Sequence, residues 1–216
     1  MANPYKPASE SAPPEPRWAS IMAVLAVGGL YLAMPEQLTP GPNWLVLVVV
    51  IVMLVPTMAT HRMGKSELNH LFGLGLSAMI TVALAWSVGS LIFLLPERRQ
   101  SAAGLLLSAG ALWVTTVLVF ATWYWRLDAG GPHKRDAKET HAEGSFLFPQ
   151  MTMKPAQKNW RPGFVDYLFL AFTTSTAFSP TDTPPLTRWA KGLMMTQSVL
   201  SLSTLAILAG RAVNMF

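Results

Sequence analysis

Six stretches of this chain are long and apolar, and the first four hold no Asp, Glu, Lys or Arg between their ends. That pattern limits the fold more than any other feature. A bilayer core takes about 20 mostly apolar residues per helical span. Inside lipid only helices or closed barrels satisfy every backbone N–H and C=O. A barrel strand alternates apolar-out with polar-in, and no such alternation runs through these blocks. The expected fold is therefore all-α: a polytopic transmembrane helix bundle. Charged residues make up 12% of the chain against 51% hydrophobic, where a soluble domain carries about 25% charged.

The blocks run Trp18–Met34, Trp44–Thr60, Leu68–Leu95, Ala102–Trp125, Phe164–Ser179 and Leu186–Val213. Pro35 ends the first, and Pro56 predicts a kink near the end of the second. The fifth is short and rich in hydroxyls, so five full spans are expected, with a sixth helix that either crosses or re-enters. Residues 1–17 hold five prolines and predict a disordered tail. The remaining residues, 18–216, form one transmembrane domain with a single basic loop at 126–163. Within that loop Phe146-Leu147-Phe148-Pro149 is too short to span and is expected to lie as a lip on the membrane interface.

Basic residues set the orientation. With the N-terminus inside, twelve fall on the cytoplasmic side and Arg98, Arg99, Arg188 and Lys191 outside. Both termini are then cytoplasmic in a cell membrane. Trp18, Trp44, Trp123, Tyr124, Trp125 and Trp189 sit at block ends, where interfacial aromatic belts belong. The same orientation accounts for the net charge of +5 without nucleic acid, since the basic stretches lack interleaved aromatics.

Chemistry-bearing motifs are sparse. There is no cysteine, hence no thiolate ligand or disulfide. His61, His70, His133 and His141 show no metal-ligand spacing. A Gly-x-Ser-x-Gly elbow, a phosphate loop and a pair of intramembrane carboxylates are all missing, so no catalytic residue, metal or cofactor is expected. Gly73, Ser77 and Thr81 recur every four residues, a pattern of close helix packing. Asp166 opens the fifth block, where it favours the positive end of a helix dipole.

Two groups remain as candidates. Thr173, Thr174, Ser175 and Thr176 end the fifth block, and Asp182 follows in a Pro-rich turn. Four consecutive hydroxyls cannot share one partner, because a helix turns about 100° per residue. They serve either helix packing or a path for ions or small polar solutes. Gln197, Ser201, Thr204 and Arg211 share one face of the last block, and a polar stripe of this kind belongs inside the bundle or an oligomer interface. Arg211, near the helix end, is placed to snorkel.

The order hydroxyl-ended helix, turn with Asp182, long last helix resembles the pore region of potassium channels. The filter of those channels uses glycines to line the pore with carbonyls. Ala177-Phe178-Ser179-Pro180 stands here instead, and the basic loop before Phe164 predicts entry from the wrong side. The chain from about Leu68 onward resembles a family of small bacterial multi-pass membrane proteins of uncharacterised function. The matching residues are Trp123-Tyr124-Trp125, Phe146 to Pro149, Asp166-Tyr167 with Ala171-Phe172-Thr173, Thr181-Asp182-Thr183, and Arg211-Ala212-Val213-Asn214. The resemblance implies a bacterial inner-membrane bundle and brings no activity.

Two functions follow as expectations: permeation of a small ion or polar solute past Thr173–Thr176 and Asp182, or a non-enzymatic accessory role docking a membrane-protein partner or a second copy. Permeation predicts a water-filled funnel reaching Thr174 or Thr176. A dry interface, with those hydroxyls bonded to backbone, would remove its basis.

Overall fold

The computed structural model describes residues 15–94, 102–137, 144–152, 160–176 and 182–213. Among them the helices are α1 (Trp18–Leu32), α2 (Leu45–Arg62), α3 (Ser66–Leu94), α4 (Ala102–Leu127), the short α5 (Pro132–Asp136), α6 (Phe164–Thr176) and α7 (Arg188–Val213). No strand occurs among the described residues; a single antiparallel bridge pairs Phe146 with Pro185. Three helical segments are long and apolar enough to cross a membrane: Leu45–Arg62, Ser66–Phe93 and Leu106–Gly130. Large apolar side chains on them face outward, including Val52, Val55, Leu71, Val82, Trp86 and Phe93. A soluble monomer rarely exposes so much apolar surface, and helices of this length and composition are those of a membrane protein.

Local chemistry explains the joints. α2 continues through Pro56 to Arg62, with the Thr60 hydroxyl donating to the Pro56 carbonyl at 2.7 Å. It stops at Gly64, whose φ of +68° is the left-handed conformation that closes a helix. There Gly64 N–H donates to His61 O and Lys65 N–H to Thr60 O, and α3 turns back along α2. Asn69 then donates to the Thr57 carbonyl at 2.6 Å, locking the hairpin. In α3 the Gly73-Ser77-Thr81 row faces α4, and Trp123 Nε1 donates to Thr81 Oγ1 at 2.8 Å. The row serves helix packing, as its spacing predicts. At the start of α6, Asp166 accepts from the Gly163 N–H at 2.8 Å and so caps the first turn.

α4 is the central helix. It packs against α1, α3, α6 and α7 and buries Leu112, Phe120, Tyr124 and Trp125. Two expectations change at its end. Tyr124 and Trp125 lie in the core, at 0% and 2% exposure, whereas Trp18 and Trp44 are exposed. Arg126 is no loop charge: it belongs to the last turn of α4 and is 5% exposed.

The loop is also corrected. Phe146 and Phe148 do not rest on a membrane surface; both are buried. Phe146 makes edge-on contacts with Tyr124, Tyr167 and Trp189 at 5.2, 6.4 and 5.9 Å. Leu147 N–H donates to Pro184 O and Leu186 N–H to Ser145 O, so the segment is a wedge held between α4, α6 and the entry to α7. Buried aromatic contacts of this geometry are stabilising beyond their area. Replacing Phe146 by Ala should destabilise the folded protein by about 3–5 kcal/mol, read as a lower unfolding temperature in detergent. A lip on the membrane would leave it unchanged.

Candidate functional site

Two polar regions occupy the interior. The first joins the two groups that the sequence kept apart. Gln197 is fully buried and sits at the centre. It accepts from Tyr124 OH at 2.5 Å and donates to Ala171 O at 2.6 Å and Ser175 Oγ at 2.7 Å. Ser201 Oγ donates to Ser175 Oγ at 2.9 Å. Residues from α4, α6 and α7 therefore share one buried network.

The other candidates do not join it. Thr174 is buried and donates to Leu170 O at 2.7 Å. Thr173 bonds to Phe169 O and Leu170 O, and Thr176 to Phe172 O, each within its own helix. Thr204 is buried but bonds back to Leu200 O at 2.8 Å. Asp182 is exposed. The side chain of Arg211 and residues 177–181 lie outside the described structure. The polar stripe of α7 thus points into the bundle at Gln197, Ser201 and Thr204.

The second region was not foreseen, and it is the stronger candidate. It lies where α1 begins and α2 and α4 end. Asp128, fully buried, accepts from Tyr167 OH at 2.6 Å and from Ser145 N–H. Arg135 is 3% exposed; its Nη1 donates to Trp125 O and Asp128 O at 2.6 and 2.9 Å, and its Nη2 lies 3.7 Å from Glu15. Arg17 pairs with Glu15 at 3.3 Å and Asp136 at 2.5 Å. Glu15 also accepts from Trp125 Nε1 at 2.8 Å and from the Phe164 N–H. Three guanidinium groups, of Arg17, Arg126 and Arg135, lie within 6.0 Å of the Trp125 ring centroid, close enough for cation–π attraction.

Beside this network lies a cavity of about 90 Å³ between α1, α2, α3 and α4. One wall is apolar, from Ile21, Val24, Leu54 and Met58; the other carries Arg17, His61, Arg62, Asn69 and Arg126. His61 Nδ1 and His133 Nε2 are 3.4 Å apart, and His133 Nε2 is 3.2 Å from Asn69 Oδ1. A separation of 72 positions hides this pair from spacing rules. Among the described residues no group of three or more His, Cys, Asp or Glu could hold a metal ion.

No protein-family model, curated protein or solved structure matches the chain, so the functional reading rests on this geometry.

Two predictions follow from the two regions. Gln197→Leu leaves the Tyr124 hydroxyl without its partner, removes one of the two bonds to Ser175 in a buried interface, and should cost about 1–3 kcal/mol. Thr173→Val, which removes only the two bonds to its own helix, should stay near wild type in the same unfolding assay. His133 is held below the ordinary histidine value of 6.5 chiefly by burial, then by the nearby Arg17 guanidinium, against the opposing Asp136. The unfolded chain therefore takes up this proton first on acidification. Stability should fall as pH drops below 6.5, and His133→Gln should flatten that slope in a melting-temperature series.

Proposed function

We propose that this chain is a non-enzymatic accessory membrane protein that docks a partner at the end of the bundle carrying Arg17, Arg126 and Arg135. In this reading α1, α2, α3, α4 and α7 cross a bacterial inner membrane, α6 is the short sixth helix, and both termini face the cytoplasm. The distribution of basic residues supports the orientation. The likeness to uncharacterised bacterial multi-pass proteins is consistent with it.

The observation that carries the accessory role over permeation is the use of the α6 hydroxyls. Thr173, Thr174 and Thr176 bond to their own helix, and Ser175 is enclosed by Gln197 and Ser201. A solute path needs polar groups left available to the solute; here they are committed to holding helices together. Permeation past Asp182 is the second reading, since that carboxylate is exposed ahead of α7.

Liposome flux separates the two. Purified protein should pass sodium and potassium no faster than empty liposomes, with Thr174→Val indistinguishable from wild type. Cation flux that falls on Thr174→Val would overturn the accessory reading. The positive arm uses the absence of native cysteine. A single cysteine at exposed Lys134 or Thr152 should form a discrete cross-linked adduct in native membranes. Deleting the loop is no substitute, because it removes Phe146 from the core.

A further inference from the structure

Arg126 differs from every other buried charge in the basic cluster. It is 5% exposed, and its Nε has no hydrogen-bond partner; Arg135 Nη2 lacks one too, but lies 3.7 Å from the Glu15 carboxylate. Arg17 and Arg135 reach Glu15 or Asp136, but no carboxylate pairs with Arg126 among the described residues. The charged neighbour that acts on it is Arg17, which has the same sign. An arginine stays protonated in any protein environment, and a buried ion without a partner costs several kcal/mol. Stacking on Trp125 at 5.3 Å returns only about 2 kcal/mol.

The group is nevertheless held in place. A Cβ at Gly73 would sit 1.6 Å from Arg126 Nη1, so the guanidinium lies flat against the α3 backbone. Glycine at 73 is what admits it. The guanidinium lines the 90 Å³ cavity, which is several times the roughly 10–15 Å³ that admits one water. Exposed Met58, His61 and Arg62 also line that cavity and give it a mouth on the outer face of α2. Charge lies at the helix-end side, and the wall towards the middle of the bundle is apolar.

We propose that this cavity binds a phosphate-bearing anion, with Arg126 as the buried charge partner and Arg62 at the mouth. Guanidinium groups match phosphate oxygens with paired donors. Two sources share that chemistry: the head of an anionic phospholipid and free inorganic phosphate. The amphipathic walls favour the lipid. Its phosphate would meet Arg126 at the helix end, where bilayer headgroups lie, and its chain would follow Ile21, Val24 and Leu54 inward. This assignment does not depend on the accessory reading, because a flux assay and a binding assay report separate properties.

The test is thermal unfolding of the full chain in neutral detergent, titrated with phosphatidylglycerol, with phosphatidylcholine and with inorganic phosphate. Wild type should gain stability from phosphatidylglycerol well before phosphatidylcholine; a gain from inorganic phosphate at matched concentration would assign the site to the free ion. Arg126→Gln should lose the ligand-dependent gain, with affinity down roughly tenfold or more. Its ligand-free melting temperature should hold or rise, since an unpaired charge has been removed. Arg126→Lys should keep part of the gain. If Arg126→Gln does not fold, Ile21→Trp, which fills the cavity and keeps the arginine, should lose the gain instead. The proposal is overturned if no anion stabilises wild type, or if Arg126→Gln or Ile21→Trp responds as wild type does.

Discussion

A polar side chain enclosed by apolar helices must find its partners within the protein, and Gln197 is where this chain meets that requirement most fully. Its amide contacts Tyr124 of α4, Ala171 and Ser175 of α6, from a position on α7. Sliding any of the three helices by one turn would strand at least two of these groups. Between apolar surfaces alone, helix register in lipid is weakly specified, since lipid tails are as apolar as leucine. The network supplies the specificity that greasy contact lacks. It also accounts for the hydroxyls of α6: one closes the network, and the rest are satisfied by their own helix.

The same rule operates at the basic end with charges instead of amides. Asp128 is tolerated at full burial because Tyr167 and the Ser145 amide donate to it. Those two donors come from α6 and from the wedge that carries Phe146. The wedge then fills the space between Tyr124, Tyr167 and Trp189. Tyr124 belongs to both regions, through its hydroxyl to Gln197 and its ring to Phe146. The inner network and the basic end are thus two ends of one packed unit centred on α4.

The helical blocks were legible in the sequence because charge-free runs of spanning length have few alternatives. The packing row at Gly73, Ser77 and Thr81 was legible for a similar reason: helical spacing places those residues on one face. The inward aim of the α7 stripe was one of two alternatives that spacing left open. What spacing could not show was contact between distant segments. Phe146 reads as an interfacial lip when its partners, at positions 124, 167 and 189, are not known to converge. His61 and His133 look unrelated for the same reason. Arg126 was counted as a loop charge because it is the first charged residue after the fourth apolar block; α4 runs two residues beyond that block, to Leu127, and Gly73 leaves room for the buried guanidinium.

That burial sets the two polar regions apart. Gln197 and Arg126 are both polar groups taken out of water, and the chain treats them differently. Every donor and acceptor position of the Gln197 amide that the helices can reach is used. Arg126 has an indole face, a glycine backbone and a repelling Arg17 around it, with a cavity on its remaining side. A stability role would be served better by an apolar side chain of similar size, since breaking even a buried ion pair leaves the surviving charge strongly unfavourable. Placing a permanent cation there, stacking it on Trp125 and keeping position 73 free of a side chain is costly unless something negative completes the site. The two regions therefore divide the work of the fold: one closes the bundle, and the other holds a buried cation beside a cavity.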